Sequence, residues 1–382
     1  MVKKQHQRFD YPLLLTSLLL IVLGILVLAS ASTILSYQKF HTPFYFLFHQ
    51  IGYALLPGLL LGYLLFRADL QYLKKISPLL LLANIFLLGL VFVPMVGVFH
   101  GGATRWIDIG PVSFQPAEFL KLSFFLYLAA WLESKIPQKN ASLGLKKFTP
   151  PPQKQSFIGS NLLVFLVILG LTGLFLVFQP NLSTFGTLFL VGTIMYFAAE
   201  TPLWHSFLIA CTALGSFWLL IHHVSYGASR LSIFLNPDFD PTGKGYQLKQ
   251  SLIAIGSGGL WGLGLGMSRQ KFGFLPESMS DTIFSIWSEE VGFIGGVLLV
   301  ALFLFFLYRG IMIAKNANSK FTRLLALGIT SWIFFQAVVN IGSVIRLIPP
   351  TGVPLPFISY GGSHLMAELM GLGVLLNISK KK

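Results

Sequence analysis

Charged residues are scarce in this chain of 382 residues: Asp, Glu, Lys and Arg together make up 10% of it, against 54% hydrophobic residues. A soluble domain carries about 25% charged residues, and these cover its exterior. The mean hydropathy of +0.75 therefore excludes an exterior that faces water. The apolar runs are continuous over about 20 residues, which is the length of a membrane-spanning helix and not the pattern of the alternating strands of a membrane barrel.

Cysteine is nearly absent as well. The single Cys211 excludes an intrachain disulfide framework and a cysteine-based metal site, and no group of residues has the spacing of a zinc site. The Gly-rich stretch GSGGLWGLGLG at 256–266 lacks the Lys-Ser/Thr of a phosphate-binding loop and the preceding strand of a dinucleotide fold. It suits a close approach of backbone, or short re-entrant helices.

Ten apolar windows predict an all-α polytopic membrane protein with about ten transmembrane helices. An even number places both termini on one side, and most of the 27 Lys and Arg residues fall on that side, so we expect it to be cytoplasmic. Because these basic residues are spread over membrane loops, the net charge of +14 indicates attraction to anionic lipid and no nucleic-acid partner. The windows cover residues 11–32, 45–66, 76–96, 116–132, 157–178, 182–199, 203–221, 282–308, 321–345 and 360–378.

We expect one integral membrane domain over residues 1–382, in which the first span is retained and is not a cleaved signal peptide. Residues from about 133 to 156, which include TPPPQKQ, have the composition of a flexible cytoplasmic linker. Residues from about 222 to 281 are predicted to form a long extracytoplasmic loop between helices 7 and 8.

The few acidic residues are unevenly distributed. The chain has only 13, yet FLPESMSDTIFSIWSEE at 274–290 contains Glu277, Asp281, Glu289 and Glu290. Pro276 predicts the start of a helix, which would place Glu277 and Asp281 one turn apart on a face toward the bundle interior. Ionisable groups at membrane depth are functional candidates. The alternative is that carboxylates near a helix start only stabilise the helix dipole.

Two further stretches gather polar side chains near the outer ends of the spans. In GATRWIDIGPVSFQPAEFLKL at 102–122, Arg105, Glu118 and Lys121 form either a site for an anionic group or an internal ion pair that neutralises itself. In and after GASRLSIFLNPDFDPTGKGYQLKQSLIAIGSGG at 227–259, basic and amide side chains suit a lipid phosphate or pyrophosphate, or are only solvated. They include Arg230, Gln247, Lys249, Gln250 and Lys271.

A fourth stretch, IRLIPPTGVPLPFISYGGSHLMAE at 345–368, contains too many prolines and glycines for one regular helix. Backbone groups freed at membrane depth have to line a cavity or pack inside protein. His364 and Glu368 follow one turn apart in the last predicted span, where a lone histidine is more often structural than a ligand.

These stretches together resemble the SEDS family, the RodA and FtsW proteins of bacterial elongation and division. The matching segments are RWIDIGPVSFQPAEFLKL, TGVPLPFISYGGS and GYQLKQSLIAIGSGGLWGLGLGMSRQKFGFLPESMSDTIFSIWSEEVGFIGG, in the family's order and spacing. The resemblance implies ten helices with cytoplasmic termini in the bacterial inner (plasma) membrane. It also implies a peptidoglycan glycosyltransferase that polymerises lipid II, and a transpeptidase partner, a class B penicillin-binding protein.

The resemblance also assigns residues. The family's essential acid of the long outer loop falls on Asp281, its loop arginine on Arg105, and its Glu and Lys of span four on Glu118 and Lys121. The chain departs from the family pattern at Asn181, where an aspartate is usual. Two further departures are His364, in place of a small hydroxyl residue, and Arg346, in place of glycine.

The implied reaction joins an α-linked donor into a β-1,4 bond and so needs one inversion at C1, with one general base. We assign Asp281 as that base, and we expect cations to stabilise the departing undecaprenyl pyrophosphate.

A divalent cation, Mg²⁺ or Mn²⁺, is a possible cofactor. The alternatives are a lipid II flippase and a non-catalytic scaffold for the transpeptidase, and the sequence does not separate elongation from division. The predicted substrate-binding residues are Arg105, Glu118, Lys121, Arg230, Gln247, Lys249, Gln250, Lys271, Glu277 and Ser280.

Overall fold

The computed structural model describes residues 9–94, 96–100, 103–109, 112–135, 158–223 and 225–380, which are mostly helical. The predicted linker at about 133–156 lies outside these residues except for its first three positions, which end a helix. The α-helices are α1 (Tyr11–Phe40), α2 (Tyr45–Gln50), α3 (Leu56–Arg67), α4 (Leu70–Leu90), α5 (Pro116–Lys135), α6 (Ile158–Phe178), α7 (Leu182–Ala198), α8 (His205–His223), α9 (Ser225–Leu235), α10 (Lys244–Ser257), α11 (Ile283–Lys315), α12 (Lys320–Val344) and α13 (Gly362–Ile378).

Helices α2 and α3 are joined by a π-helical turn, Ile51–Leu55, and read as one span, Tyr45–Arg67. Within the described residues, six helices are long and apolar enough to cross a membrane: α1, the α2–α3 span, α4, α6, α11 and α12. Three shorter apolar helices add Leu182–Ala198, His205–Ser216 and Gly362–Ile378. The chain is therefore a multi-pass membrane protein.

The predicted outer loop at about 222–281 is not irregular. It contains α9, α10 and two short 3₁₀ helices, Pro237–Phe239 and Gln270–Phe272. The all-α prediction also missed a small antiparallel sheet between α4 and α5. Its strands are β1 (Gly97–His100), β2 (Ala103–Ile109) and β3 (Val112–Phe114), in the order β1-β2-β3.

The C-terminal helix α13 packs closely along α3. A methyl group on Gly373 would lie 2.0 Å from the carbonyl oxygen of Gly62, and one on Gly62 would lie 2.6 Å from the carbonyl oxygen of Leu369. Small residues let two membrane helices approach until their backbones touch, where dispersion contacts are dense. This contact fixes the segment that precedes α13, which carries part of the site described below.

Helix α11 is interrupted two turns after its start. Gly292 has φ 73° and ψ −169°, a conformation that removes the intrahelical partners of the next two amides. The N–H groups of Phe293 and Ile294 donate instead to the carbonyls of Gly259 (2.8 Å) and Leu260 (3.2 Å). The Gly-rich stretch thus supplies the hydrogen bonds that the helix loses.

The pairing also runs in the opposite direction. The N–H groups of Leu263 and Gly264 donate to the carbonyls of Glu289 and Glu290, both at 3.0 Å. A methyl group on Gly262 would lie 2.2 Å from the carbonyl oxygen of Glu290, so only glycine fits there. The stretch 256–266 is therefore a loop that folds back along α11, which agrees with the predicted close approach of backbone.

Candidate functional site

A cavity of about 480 Å³ opens between β2, α5, α7, α9 and the segments that precede α11 and α13. The residues around it are mostly polar, unlike the lipid-facing helix surfaces. They are Arg105, Trp106, Gln115, Glu118, Lys121, Pro180, Asn181, Ser183, Thr184, Thr187, Arg230, Lys244, Glu277, Ser280, Asp281, Gln336, Thr351, Gly352, Val353, Pro354, Tyr360, Gly361 and His364.

Asp281 lies in this wall just before α11 begins at Ile283, so the predicted helix start at Pro276 is wrong. Glu277 adopts φ 54°, and the Thr282 hydroxyl donates to the carbonyls of Pro276 (3.0 Å) and Glu277 (2.9 Å). Ser and Thr hydroxyls often donate hydrogen bonds to nearby backbone carbonyls, which would otherwise accept from the N–H groups of a helix. Residues 276–282 therefore form turns.

Three contacts from α12 and from the segment before α13 hold this turn in place. The Asn340 side-chain amide donates to the carbonyl of Asp281 at 2.8 Å. The Ser359 hydroxyl donates to the carbonyl of Ser280 at 2.5 Å, and the N–H of Tyr360 donates to the carbonyl of Met279 at 2.8 Å. The backbone of the turn is anchored, while its carboxylate points into the cavity.

The Asp281 carboxylate has two polar partners from α10. Gln247 Nε2 donates to Oδ1 at 3.2 Å, and Lys244 Nζ lies 3.7 Å from Oδ2. Lys244 also donates to Gln247 Oε1 at 2.7 Å, which orients the amide. The side chain of Asp281 is 15% exposed, so the carboxylate is mostly withdrawn from bulk water but reachable from the cavity.

Burial raises the pKa of the Asp281 carboxyl above its ordinary value. Lys244 opposes the increase, the neighbouring Glu277 carboxylate adds to it, and the hydrogen bond from Gln247 opposes it. A carboxylate with a raised pKa is a stronger base, and the best general base has a pKa near the working pH. The raised pKa therefore makes the Asp281 carboxylate suitable to accept a proton from a hydroxyl group.

Arg230 of α9 lies beside Asp281 across Gly352. A methyl group on Gly352 would be 3.6 Å from both Arg230 Nη2 and Asp281 Oδ2. Arg230 Nη1 donates to the carbonyl of Thr351 at 2.6 Å and to the Ser183 hydroxyl at 3.4 Å. The guanidinium is thus held at the cavity wall, next to the carboxylate.

Arg105 enters the cavity wall from β2 and binds the turn before α7. Its Nε donates to the carbonyl of Gln179 at 2.8 Å and its Nη2 to that of Pro180 at 2.5 Å. Asn181 caps α7 by accepting from the N–H of Thr184 at 3.4 Å. Asn and Asp cap helices about equally well, so Asn181 can fill the capping role of the aspartate that the resemblance led us to expect there.

A network of buried charges forms the cavity floor. Lys121 Nζ lies 2.7 Å from Glu118 Oε2 and donates to Gln336 Oε1 at 2.9 Å. Gln336 Nε2 donates to Glu368 Oε1 at 2.9 Å, and the N–H of Phe357 donates to Glu368 Oε2 at 2.8 Å. The predicted internal ion pair of Glu118 and Lys121 is therefore present, and both residues also line the cavity.

Glu289 lies outside this cavity and is enclosed by donors from the loop that folds along α11. It accepts from the Ser268 hydroxyl at 2.5 Å and from the N–H groups of Arg269 at 3.0 Å and Gln270 at 3.3 Å. The Ser257 hydroxyl adds a fourth contact at 3.4 Å. The side chain is buried, and its role is to fix the loop.

Glu290 is enclosed in the same way, between the loop and α1. It accepts from the Ser30 hydroxyl at 2.5 Å and the N–H of Ser268 at 3.4 Å, and Lys271 Nζ lies at 3.3 Å. Lys271 also donates to Ser30 Oγ at 2.8 Å and to the carbonyl of Gly266 at 2.5 Å. Glu290 and Lys271 therefore fasten the loop to α1.

Three residues of the predicted substrate-binding set lie away from the cavity lining: Lys249, Gln250 and Lys271. Lys249 pairs with the exposed Asp238, and Lys271 is bound as described. Gln247 contacts Asp281 and lines a small adjoining cavity. The structure brings the others to the cavity wall: Arg105, Glu118, Lys121, Arg230, Glu277, Ser280 and Asp281.

Sequence reasoning left out of the predicted set several residues that the structure places in the wall. Lys244, the cation next to Asp281, stood among other basic residues of the outer loop with nothing to distinguish it. Gln336 of α12 lies in the wall, and Asn340, one turn further along, binds the backbone of Asp281 from outside the lining. A polar pair in an apolar span was a signal that could have found both. For Gly352 and Tyr360, only the folded structure shows that they line the cavity.

The fold and the site define a class: a multi-pass helical membrane protein in which a mostly buried carboxylate and several cations face a polar cavity. A family model for cell cycle proteins of the FtsW, RodA and SpoVE type matches residues 11–382. The chain therefore belongs to this family, and the resemblance to SEDS proteins is confirmed.

Two curated proteins illustrate the likeness. Stage V sporulation protein E of Bacillus subtilis is 41% identical over 373 residues, which cover 97% of each chain. A probable peptidoglycan glycosyltransferase FtsW of Geobacter sulfurreducens is 37% identical over 378 residues, which cover 99% of this chain and 97% of the relative.

Two solved structures share the fold. The first, described as "Structural coordination of polymerization and crosslinking by a peptidoglycan synthase complex", superposes with a TM-score of 0.75 at 27% identity and covers 97% of each chain. The second, the rod shape determining protein RodA of Thermus thermophilus, gives a TM-score of 0.67 at 28% identity and covers 98% of this chain and 97% of the other.

Proposed function

We propose that this protein is a peptidoglycan glycosyltransferase that polymerises lipid II into β-1,4-linked glycan strands, inverts C1 and releases undecaprenyl pyrophosphate in cell elongation or division. The observation that carries the proposal is Asp281, a mostly buried carboxylate that reaches a polar cavity beside Lys244 and Arg230. The names of the relatives support the same activity.

In the proposed step, Asp281 takes the proton of the acceptor 4-hydroxyl while that oxygen attacks C1 of the donor from the face opposite the pyrophosphate. The new O4–C1 bond forms as the C1–O bond to the pyrophosphate breaks, and the bonding electrons leave with the pyrophosphate. One displacement gives one inversion, and the proton then passes from Asp281 to water. General-base assistance of this kind is worth about 10²–10⁴ in rate.

The departing pyrophosphate is already an anion and needs positive charge more than a proton. Arg230 and Lys244 are the cations nearest Asp281 at the cavity wall, and Arg105 and Lys121 contribute positive charge from the β2 side and the floor. Because Lys121 is paired with Glu118, we assign Arg230 and Lys244 to the pyrophosphate first. Lys249, Gln250 and Lys271 remain predictions from the sequence.

A divalent cation, Mg²⁺ or Mn²⁺, is compatible with these side chains. No group of three or more His, Cys, Asp or Glu residues that could hold a metal ion occurs in the part of the chain that the structure describes. Mg²⁺ commonly binds through one or two carboxylates together with substrate phosphates. Glu277 and Ser280, whose hydroxyl donates to Glu277 Oε2 at 2.7 Å, would hold it, and it would neutralise charge on the pyrophosphate.

We further propose a single membrane domain with ten spans: α1, the α2–α3 span, and α4, α5, α6, α7, α8, α11, α12 and α13. Both termini would then be cytoplasmic, and the cavity with Asp281 would open toward the outer face of the bacterial inner membrane. The solved complex, which concerns polymerization and crosslinking together, supports a class B penicillin-binding protein as the partner.

Purified protein and fluorescent lipid II test the proposal in a gel assay, alone and with the cognate transpeptidase. We expect polymer from the wild type and from Asp238→Asn, a matched control on an exposed acid of the same outer region, and none from Asp281→Asn. Near-normal polymer from folded Asp281→Asn would show that Asp281 is not the base.

Two further experiments test the alternative functions. In reconstituted vesicles, translocation of lipid II without polymer formation on either side of the membrane would favour the flippase. Cells that tolerate Asp281→Asn would favour the scaffold.

A further inference from the structure

A second cavity, of about 430 Å³, lies between the first two turns of α4 and the last two turns of α5. We call it the α4–α5 groove. Its lining differs from the surrounding apolar helix surface because it combines lysines, aromatic rings and small polar residues. They are Gln71, Lys74, Lys75, Ser77, Pro78, Tyr127, Ala130, Trp131 and Ser134.

The groove is far from the cavity that contains Asp281. At one end of α12 the N–H of Phe321 donates to Glu133, which also pairs with Lys74. Near the other end Asn340 contacts Asp281. A helix rises 1.5 Å per residue, so Glu133 and Asp281 are separated by about 30 Å along the bundle, and the two cavity linings share no residue. The groove therefore does not belong to the site described above.

Pro78 accounts for the irregular wall of α4. Proline has no N–H to donate to the carbonyl four residues earlier, which here belongs to Lys74. The Ser77 hydroxyl donates to that carbonyl at 2.8 Å. Pro78 is exposed in the groove, and no side chain of the described residues fills the space in front of it.

The polar groups that remain available in the groove are mainly donors. Lys75 is exposed and forms no ion pair, and neither the Tyr127 hydroxyl nor the Trp131 indole N–H has a partner among the residues that the structure describes. Two carboxylates lie nearby: Glu133 is occupied by Lys74 and Phe321, and Asp69 accepts from the N–H of Gln71 at the start of α4. A ligand that supplies several acceptor oxygens and negative charge fits this set.

The aromatic rings indicate the depth of the groove. Tyr127 and Trp131 lie one turn apart on α5, so they share one face, and both are only partly buried. Trp and Tyr favour the boundary between lipid headgroups and acyl chains, and basic pockets between membrane helices bind lipid head groups. The groove thus has an apolar wall toward the membrane interior and cations toward its surface.

We propose that the α4–α5 groove binds an anionic phospholipid, with the phosphate held by Lys75, which has no carboxylate partner among the described residues, and by the Trp131 and Tyr127 donors, and with the first acyl carbons against Pro78 and Ala130. The occupant is a bilayer lipid and not a soluble phosphate, because the lining joins exposed lysine and interfacial aromatic rings to the apolar atoms of Pro78 and Ala130. This site is separate from polymerisation and does not depend on it.

Native mass spectrometry of the full-length protein in detergent tests the proposal, with phosphatidylglycerol or phosphatidylcholine added at known concentration. We expect the wild type to retain one phosphatidylglycerol tightly, and Lys75→Ala combined with Trp131→Leu to weaken that binding about tenfold. Lys315→Ala is the matched control, because Lys315 is an exposed lysine at the same end of the bundle but outside the groove. Its binding should equal that of the wild type.

Three results would overturn the proposal. They are wild-type retention by the double variant, an equal loss in Lys315→Ala, and displacement of the lipid by millimolar inorganic phosphate. The last would assign the groove to a soluble anion. Unchanged thermal unfolding and unchanged polymer formation in the double variant exclude a general folding defect. If that variant unfolds, Lys75→Gln alone provides the same comparison with a smaller change in packing.

Discussion

Asp281 and the pair Glu289 and Glu290 lie within ten residues of one another, and the protein treats them in opposite ways. Glu289 and Glu290 are buried and accept hydrogen bonds from several donors each. Asp281 has one amide donor, the Ser280 hydroxyl at 3.5 Å and a lysine at 3.7 Å, and it faces a cavity of about 480 Å³. Of the four acids in 274–290, Glu289 and Glu290 are structural, and Asp281 is the one that we propose to be reactive.

The difference lies in where the donors are used. Around Glu289 the donors are backbone N–H groups and hydroxyls of residues 257–270, so the carboxylate oxygens hold that segment against α11. Around Asp281 the donors act on the backbone of its turn, through Asn340, Ser359 and Tyr360. The position of Asp281 is therefore fixed while its carboxylate remains available to a substrate.

Asp281→Asn should show the largest effect on activity. Polymer formation should fall at least about 100-fold, because the amide cannot accept the proton. Stability should not fall: the folded state raises the pKa of this carboxyl, so its stabilising contribution is present at low pH and lost as pH rises through the folded pKa. At neutral pH the amide removes that penalty.

The measurement for Asp281→Asn combines a lipid II polymer gel with thermal unfolding on the same preparation. A lower unfolding temperature together with lost activity would show that Asp281 is structural, like Glu289, and would erase the contrast between them.

Glu290→Ala should instead cost stability, by about 3–5 kcal/mol, because it leaves the buried Lys271 ammonium without its counter-charge. Thermal unfolding of the purified protein measures this. Adding Lys271→Met should restore part of the loss, and Glu277→Ala, on an exposed neighbour, is the control. Equal unfolding temperatures for Glu290→Ala and the wild type would contradict the structural role.

Gly292→Ala should destabilise the protein by about 2 kcal/mol, because Gly292 has φ 73° and its added methyl would lie 2.3 Å from the Gly262 nitrogen. Gly256→Ala is the matched control in the same region, since a methyl there meets nothing within 4 Å. The two unfolding temperatures should differ clearly, and no difference would mean that the loop does not bind along α11.

Lys244→Met should shift the pH profile of polymer formation. Lys244 lowers the pKa of Asp281 against the effect of burial, so its removal raises that pKa further. The acid limb of the rate profile should move to higher pH, because a base acts only when deprotonated. Initial rates across a pH series measure the shift. Lys244→Arg should keep the wild-type profile, and a shift to lower pH in Lys244→Met would be incompatible with this pairing.

Lys249→Ala should have the smallest effect. Lys249 pairs with Asp238 at the surface, away from the cavity lining, and exposed ion pairs contribute little. Polymer formation should change less than about twofold. A larger loss, measured in the same gel assay, would place Lys249 at the substrate, as the sequence predicted.

The six long apolar helices and the position of Asp281 beside one of them could be predicted from the sequence because they depend on local properties. A run of about 20 apolar residues crosses a membrane wherever it occurs, and an acid beside such a run is conspicuous. The helix start at Pro276 was wrong because the Thr282 hydroxyl takes the carbonyls that a helix would use. That competition depends on side-chain geometry and not on composition.

The grouping of cations could not be predicted in the same way. Lys244, Lys249 and Lys271 are all basic residues of one outer segment, and only the fold places the first beside Asp281, the second at the surface and the third under the Gly-rich loop. Long-range packing determines these positions, and the spacing of the three lysines in the sequence does not predict them.

The docking of α13 on α3 has a consequence for the order of biosynthesis. Ser359 and Tyr360, which precede α13, hold the turn that carries Asp281, and Gly373 meets Gly62 near the end of the chain. The ribosome therefore has to translate the chain through α13 before this turn has all its supports. A nascent chain that is still being inserted into the membrane would hold no assembled catalytic centre.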